Sequence, residues 1–460
     1  MPRLAAMTDT AAPPRPALAG TDRRTVVGLT VAVGLVVLAF VLPPLAGWDV
    51  ASRVDDRAAA PTHGFWDPKV GWGTVPAVAV GLLAVWRGEA WALGWSWRRL
   101  LLASYVGSLA WLLALALVDG ADGLTRAMAH RSEYLHTARQ VDDVDLLLRT
   151  YVERIPYAHP DNWPVHVAGH PPGAVLVFVA LVSVGLGGAV ATALVVTAVA
   201  ASLPAAVLVT LRLLGVDRHA RLAAPFLVVS PAAVFLAVSA DALFATFAAW
   251  GLASLAAAAV AVRRSRMVAW AVLAGLLLGW CVMSSYGLPL LGVLAVAVLA
   301  VGRSWWPLPV AATSALALVL GFAAAGFAWW EAYPVLVDRY WDGIASERPA
   351  AYWMWGNLAA LLLCAGPLLG AGLAHASGRA ADRRDPEVGP LLWLAGAAVV
   401  AVVVADLSRM SKAEVERIWL PFVPWLTLTM ALLPSGWRRQ GLLLQVVTAL
   451  AVQHLLYTTW

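Results

Sequence analysis

One stretch of this sequence, 119–173, gathers side chains that could move a proton or hold a phosphate. It carries eight of the 27 carboxylates, five of the nine His and five Arg. Asp119, Asp122 and Glu133 are candidate general bases, because a carboxylate beside a hydroxyl can take its proton as the oxygen attacks. Arg131 and Tyr134 flank Glu133, and His166 and His170 close the stretch ahead of Pro171-Pro172-Gly173. Far along the chain, Lys412, Glu416 and Arg417 precede an apolar run containing Pro421 and Pro424. Arg offers phosphate a planar fork and Lys a compact point charge. Asp241 stands alone where one apolar run gives way to the next. A carboxylate in that position usually lines a pathway or has a partner.

Each signal has a plainer alternative. Asp119 and Asp122 also suit the end of a helix and a solvated loop. Glu133 falls in an amphipathic pattern with Leu124, Met128, Leu135, Val144 and Leu148, as on a helix lying along a membrane. Asp142-Asp143-Val144-Asp145 reads as a helix start. His166 and His170 have the spacing of a zinc pair, but Val167 stands where a zinc-protease helix needs Glu. Gly169 and Pro171 also oppose a continuing helix there. A tight turn aiming His170 into a pocket fits better. Lys412 to Arg417 also suits a charged collar that sets a span's depth. Tyr134, Trp163, Trp353 and Trp355 could offer ring faces to a ligand, and 284–286 and 329–355 could join the site.

The elements that must position these residues are membrane helices. The 460 residues are 61% hydrophobic and only 13% charged, with a mean hydropathy of +0.76. Soluble domains are nearer roughly 25% charged. Apolar runs recur that are long enough to span hydrocarbon. They lack the two-residue alternation of a barrel. The expected fold is all-α, a polytopic transmembrane bundle of about thirteen crossings with a large extracytoplasmic loop of amphipathic helices. The runs fall at 25–45, 75–86, 100–118, 190–212, 222–238, 243–262, 267–283, 287–302, 308–330, 354–374, 390–405, 418–434 and 441–457. The expected organisation is a disordered cytoplasmic tail, 1–24, then N-terminal spans, 25–118. The loop with the candidate motifs, 119–189, and a C-terminal bundle, 190–460, follow.

The piece 174–187 decides the topology. If it lies in the interface or dips and returns, the inner segments carry nineteen Lys/Arg against seven Asp/Glu, and the outer ones thirteen against twenty. Basic enrichment marks the cytoplasm. The loop 119–189 and the Lys412 segment then share the outer face of the cytoplasmic membrane. The net charge of +5 does not suggest nucleic acid, since the basic residues lie in short turns. Cys281 and Cys364 fall inside apolar runs and imply no disulfide framework.

In layout, Glu133-Tyr134 with Asp119 and Asp122 upstream, then His170-Pro171-Pro172-Gly173, then Asp241, resembles the GT-C superfamily of integral membrane glycosyltransferases, in its actinobacterial form. The inner turn 214–221, Ser230-Pro231 and Glu416 to Pro421 add to the likeness. It covers roughly 119–250 and 406–425. In this sequence the acidic loop follows the third apolar run rather than the first, and Ser132 precedes Glu133 where the family has an acidic pair. The resemblance implies a polyprenyl-phosphate sugar as donor and a glycan, glycolipid or protein as acceptor. It implies Glu133 or Asp122 as base, with Asp119 in reserve. His166, His170, Arg131, Tyr134, Lys412, Glu416 and Arg417 would bind substrate or phosphate, and Asp241 would hold a divalent cation such as Mg or Mn. The alternative from another class is a transporter or flippase for a lipid-linked or small polar solute. Transporters pair repeats about midplane sites, whereas here the charges gather at one face. A scaffold subunit would need no such convergence.

Overall fold

The structure, a computed structural model, describes residues 23–52 and 59–458. Most of the expected tail, 1–24, therefore lies outside the described residues, although Arg23 and Arg24 already belong to a helix. Helix α1 (Arg23–Ala46) is followed by strand β1 (Phe65–Trp66), α2 (Thr74–Gly94) and α3 (Trp97–Ala116). The chemistry-rich stretch follows as four short helices: α4 (Asp122–Ala129), α5 (Tyr134–Ala138), α6 (Val144–Thr150) and α7 (Val165–Ala168). Asp143 caps α6 by accepting from the amides of Asp145 at 2.9 Å and Leu146 at 3.1 Å, so the acidic run is a helix start.

Next come α8 (Gly173–Ser183), α9 (Ala189–Ala200), α10 (Leu203–Leu213), α11 (Asp217–Val228), the single turn α12 (Ala233–Leu236), α13 (Ala240–Ala259) and α14 (Arg264–Val282). The chain continues through α15 (Leu291–Val301), α16 (Pro307–Ala324), α17 (Trp329–Asp342), α18 (Ala350–Ala365), α19 (Leu368–Gly378) and α20 (Gly389–Leu407). It ends with the short α21 (Val415–Ile418) and α22 (Val423–Thr427), then α23 (Ser435–Leu455) and strand β2 (Leu456–Tyr457). β2 pairs antiparallel with β1, Phe65 opposite Tyr457.

The chain is a multi-pass helical membrane protein. Among the described residues eight helices are long and apolar enough to cross: α1, α2, α3, the pair α9–α10 taken together, α13, α14, α16 and α20. A ninth is added if α18 and α19, bent by 101° at their junction, count as one. Large apolar side chains on the outer helices, such as Val31, Leu38, Leu82 and Leu316, stay exposed. That is what a helix facing hydrocarbon requires.

The remaining five apolar runs of the expected thirteen are short, bent or interrupted, for local reasons, and so fall outside a count by length and apolarity. Pro225, Ser230 and Pro231 divide 222–238 between α11 and the one-turn α12. Pro421 and Pro424 break 418–434 into short pieces. α15 has 11 residues, about 16 Å of helix against roughly 30 Å of hydrocarbon. α23 runs antiparallel along α2, from Arg438 at Glu89 to His454 at Thr74, although Arg438, Arg439, Gln445, Gln453 and His454 interrupt its apolar face. Gly366, at φ 84°, and Pro367 turn the chain between α18 and α19. α19 then lies so close to α1 that a side chain at Gly28 would meet the Gly370 carbonyl.

α8 returns to the end of the bundle where it began. Gly173 at its start packs on Met283, just past the end of α14. Gly187 beyond its end accepts from Arg139 of the 119–173 stretch at 2.7 and 2.9 Å. The run 174–187 therefore begins and ends at the same end of the bundle.

Candidate functional site

The ends of α3, α14, α16, α20 and α23 and the starts of α2, α13 and α18 come together at one end of the bundle, and the 119–173 stretch covers them. Asp241 lies in the first turn of α13. Ser239 Oγ accepts from the Asp241 amide and donates to its carboxylate, both at 3.2 Å. α21 brings in Arg417, whose Nη2 and Nε reach Asp241 Oδ2 at 2.6 and 2.7 Å. Arg417 Nη1 lies 3.7 Å from Glu133 Oε1. The same Glu133 oxygen accepts from His166 Nδ1 at 2.7 Å. A chain His166–Glu133–Arg417–Asp241 results, drawn from four distant parts of the sequence. Glu133, Asp241 and Arg417 are 5–6% exposed.

Charge keeps Glu133 ionised. Burial alone would raise its carboxyl, but His166 and then Arg417 hold it below the usual carboxylate range. His166 is raised in return: burial opposes its charge, and the Glu133 carboxylate outweighs burial. His170 behaves oppositely, pushed down by burial. Its Nδ1 donates to the His166 carbonyl at 2.8 Å, and its ring packs on Tyr134 and Phe244. Tyr134 stacks on Phe178 and offers no face to solvent.

Glu133 and His166 line a cavity of about 420 Å³. Its other charged walls are mostly cationic: Arg126, Arg339 and Arg348, with His63 and His130, against the single further carboxylate Glu414. Arg348 is 4% exposed. It donates to the carbonyls of Lys412 and Ala51, while its Nη2 makes no hydrogen bond and stands 3.8 Å from Glu414. Arg126 lies over the Tyr457 ring at 4.6 Å. Tyr157 and Tyr340 add aromatic wall.

The backbone is strained where it meets this site. Ala413 and Glu414 have φ of 67° and 62°, and Val238, just ahead of Asp241, has φ of 59°. For non-glycine residues such conformations cost about 1–3 kcal/mol each and persist only when their surroundings enforce them. Asn357 does so for the later turn, accepting from the Ala413 amide at 3.1 Å and donating to the Ser411 carbonyl at 2.9 Å.

Of the residues singled out in sequence, Glu133, His166, His170, Tyr134, Asp241 and Arg417 come together. Several others do not join them. Asp119 pairs with Lys69 at 2.8 Å and accepts from Gln453 at 2.8 Å, tying α3 to the β1 segment and α23. Asp122 is exposed in the first turn of α4, and Arg131 is exposed. Lys412 donates to the carbonyls of Ala345 and Arg348, both at 2.9 Å, and lies over Trp341. Its ammonium holds a turn and does not face the cavity. Glu416 is 1% exposed and neither carboxylate oxygen makes a hydrogen bond; burial pushes its carboxyl up to about 7. Trp163 and Trp353 are buried, their indoles donating to the Tyr151 and Val50 carbonyls. Trp355 packs on Tyr352. Tyr286 joins Trp329 and Tyr333 in a separate cluster.

A divalent cation at Asp241 does not fit these residues. Arg417 and Ser239 take up its Oδ2, and among the described residues no three His, Cys, Asp or Glu groups converge as metal ligands. The cation between the two carboxylates is a guanidinium.

Sequence reasoning missed Arg348, Glu414, Arg126, His63, His130 and Tyr457. Arg348 lay in the aromatic stretch noted above and Glu414 between two residues already singled out. His63 and Tyr457 carried no sequence signal, because the β1–β2 pairing that seats them joins residues nearly 400 positions apart.

No family model matches the sequence, and no curated protein matches it. Among solved structures the chain is similar to an oligosaccharyltransferase of Archaeoglobus fulgidus, determined in complex with Zn and sulfate. There the TM-score is 0.48 at 14% identity, over 76% of this chain and 53% of that one. It is also similar to the archaeal oligosaccharyltransferase AglB of the same organism, in complex with an inhibitory peptide and a dolichol-phosphate. That match has a TM-score of 0.38 at 13% identity, over 94% of this chain and 56% of that one. The chain spans about half the length of each. With both TM-scores below 0.5, the likeness assigns no activity, and the functional reading rests on this chain's own residues.

Proposed function

We propose that this protein is a membrane glycosyltransferase that moves a sugar from a polyprenyl-phosphate donor to a hydroxyl acceptor of the cell envelope, at the outer face of the cytoplasmic membrane. One observation carries the reading. An ionised, His-paired carboxylate shares a cavity with several cations, and the cavity sits where the membrane helices end.

The chemistry follows from that pairing. The acceptor oxygen attacks the anomeric carbon while the bond from that carbon to the donor phosphate breaks. The bonding electrons leave with the phosphate. The acceptor proton passes to Glu133, which His166 and Arg417 keep deprotonated and oriented. Base catalysis of this kind is worth roughly 10²–10⁴ in rate. The departing phosphate gathers charge, and the guanidinium groups of Arg126 and Arg348 in the cavity wall offset it. Lys412, being held by carbonyls, takes no part. Tyr157 and Tyr340 give the sugar ring surfaces to pack on. Arg residues crowd the far end of the bundle, in the turns 95–99, 212–221, 263–266, 379–384 and 438–439, which supports a cytoplasmic assignment for that end.

The test uses the full chain, purified into lipid nanodiscs, with radiolabelled polyprenyl-phosphate hexoses and pentoses and a cell-envelope extract as acceptor. Acceptor-dependent loss of one donor is expected, abolished by Glu133→Gln. Absence of turnover with every donor, or full turnover by Glu133→Gln, overturns the proposal.

A further inference from the structure

At the opposite end of the bundle, two apolar grooves flank α19. One, of about 740 Å³, lies between α1, α18 and α19, with Arg23 and Arg24 at its mouth. The other, of about 690 Å³, lies between α15, α19 and α20, with Arg383 and Trp393 near its mouth. The second is the better defined. Its walls are Val293, Val296, Gly396 and Val400. Trp393 lies early in α20 and is 48% exposed. Val400 is seven residues further along the same helix, about 10 Å deeper at 1.5 Å per residue. The groove thus leads from an indole at its rim into the depth of the bundle, and indoles favour the headgroup level of a bilayer.

The segment at the mouth carries three Arg and three carboxylates, of which Arg383 alone lines the groove. Arg379 is paired with Asp382 at 2.8 Å. Asp385 accepts from the amides of Glu387 at 2.8 Å and Val388 at 3.0 Å. Arg383 and Arg384 are exposed and have no ion pair among the described residues. A guanidinium at the rim of an apolar channel of this depth suits an acyl chain bearing a phosphate headgroup.

We propose that the groove between α15, α19 and α20 is a binding site for an anionic phospholipid of the bilayer. Arg383 holds the headgroup phosphate, Trp393 marks the headgroup level, and one acyl chain lies along Val293, Gly396 and Val400. The site is independent of the catalytic reading, since it lies at the other end of the molecule. The lipid fills the space left because α15 and α19 are each 11 residues long and cannot cover α20 over its full 19.

The test compares phosphatidylglycerol with phosphatidylcholine on the delipidated full chain in detergent. Bound lipid is counted by native mass spectrometry and the unfolding midpoint is followed. Two variants are used. Arg383→Gln removes the headgroup partner. Gly396→Leu fills the groove: a Cβ there has no atom within 4 Å, and leucine favours helix over glycine, so this variant folds. The wild type should bind phosphatidylglycerol about fivefold better than phosphatidylcholine, the factor that one cation at a lipid surface supplies, and its midpoint should rise. Arg383→Gln should lose the preference, and Gly396→Leu should lose the bound lipid while keeping its lipid-free midpoint. Equal binding of the two lipids by the wild type, or unchanged phosphatidylglycerol binding by Gly396→Leu, overturns the proposal and leaves only bulk lipid around the bundle.

Discussion

Asp119 and Glu133 stand fourteen residues apart in one polar stretch, both largely buried and both paired with cations, yet they do different things. Asp119 faces away from the cavity and fastens Lys69 and Gln453, with Arg126 Nη2 at 3.8 Å. Glu133 faces into the cavity and is held by His166 and Arg417. The first is a clasp between the β1 segment, the end of α3 and α23. The second is a charged group kept ready at a surface a substrate can reach. Exposure and charge do not separate them. The direction each carboxylate faces does, and that is set by contacts across hundreds of residues.

The largest effect that would break this comparison is on turnover. Glu133→Gln keeps the shape of the side chain and removes its basicity, so donor consumption per folded molecule should fall about 10²–10⁴-fold, beyond the drop in unfolding midpoint that the lost ion pair brings. Asp119→Asn should lower the midpoint while leaving turnover per folded molecule within a few-fold. If the two variants exchange these outcomes, the base is Asp119 and the assignment above is wrong.

Arg417 comes next. Removing one member of a buried ion pair leaves the others uncompensated, typically at about 3–5 kcal/mol. Arg417→Leu strands both Asp241 and Glu133 and should cost stability of that order, read as a large loss of folded protein in detergent. Adding Asp241→Leu should restore part of it, since a well-packed apolar pair can replace a buried ionic one. No recovery would mean that Asp241 has other work than partnering Arg417.

The same pairing fixes the response to pH. Glu133 is depressed, so its stabilising contribution is present above its unfolded pKa and is lost as pH falls through the lower folded value. His166 is raised, so its contribution is complete below about 6.5 and is lost as pH rises through the raised folded value. The pair is therefore most secure between these limits. His166→Asn should flatten the alkaline limb of a stability–pH profile and leave the acid denaturation of unrelated carboxylates in place.

How much of this could be read from the sequence depends on the range of the contacts involved. The apolar runs are local, and the helical membrane fold followed from them. Their lengths are less legible, because breaks such as Gly366-Pro367 leave some runs as short or bent helices, and α8 begins and ends at one end of the bundle. Within the site, Glu133, His166, Asp241 and Arg417 stood out because buried charge among apolar residues needs a reason. The same rule also picked out Lys412, and there it failed. A buried Lys beside backbone carbonyls and a buried Arg beside carboxylates look alike in sequence, and only the strained turn at Ala413 and Glu414, gripped by Asn357, separates them. Lys412→Met should therefore lower the unfolding midpoint and weaken the α17–α18 connection, with turnover per folded molecule retained.

The smallest expected effect sharpens the comparison most. Asp122 was as good a candidate base as Glu133 in sequence, since both are carboxylates beside an amphipathic run. In the structure it occupies the first turn of α4 and is exposed. A carboxylate there favours the helix by its position at the positive end of the dipole, about 0.3–1 kcal/mol at low salt. Asp122→Asn should then leave turnover unchanged, lower the midpoint slightly, and lose even that difference in high salt, where screening removes the dipole term. A fall in turnover that survives high salt would place Asp122 at the reacting atoms, and the dividing line would then not be the wall of the cavity.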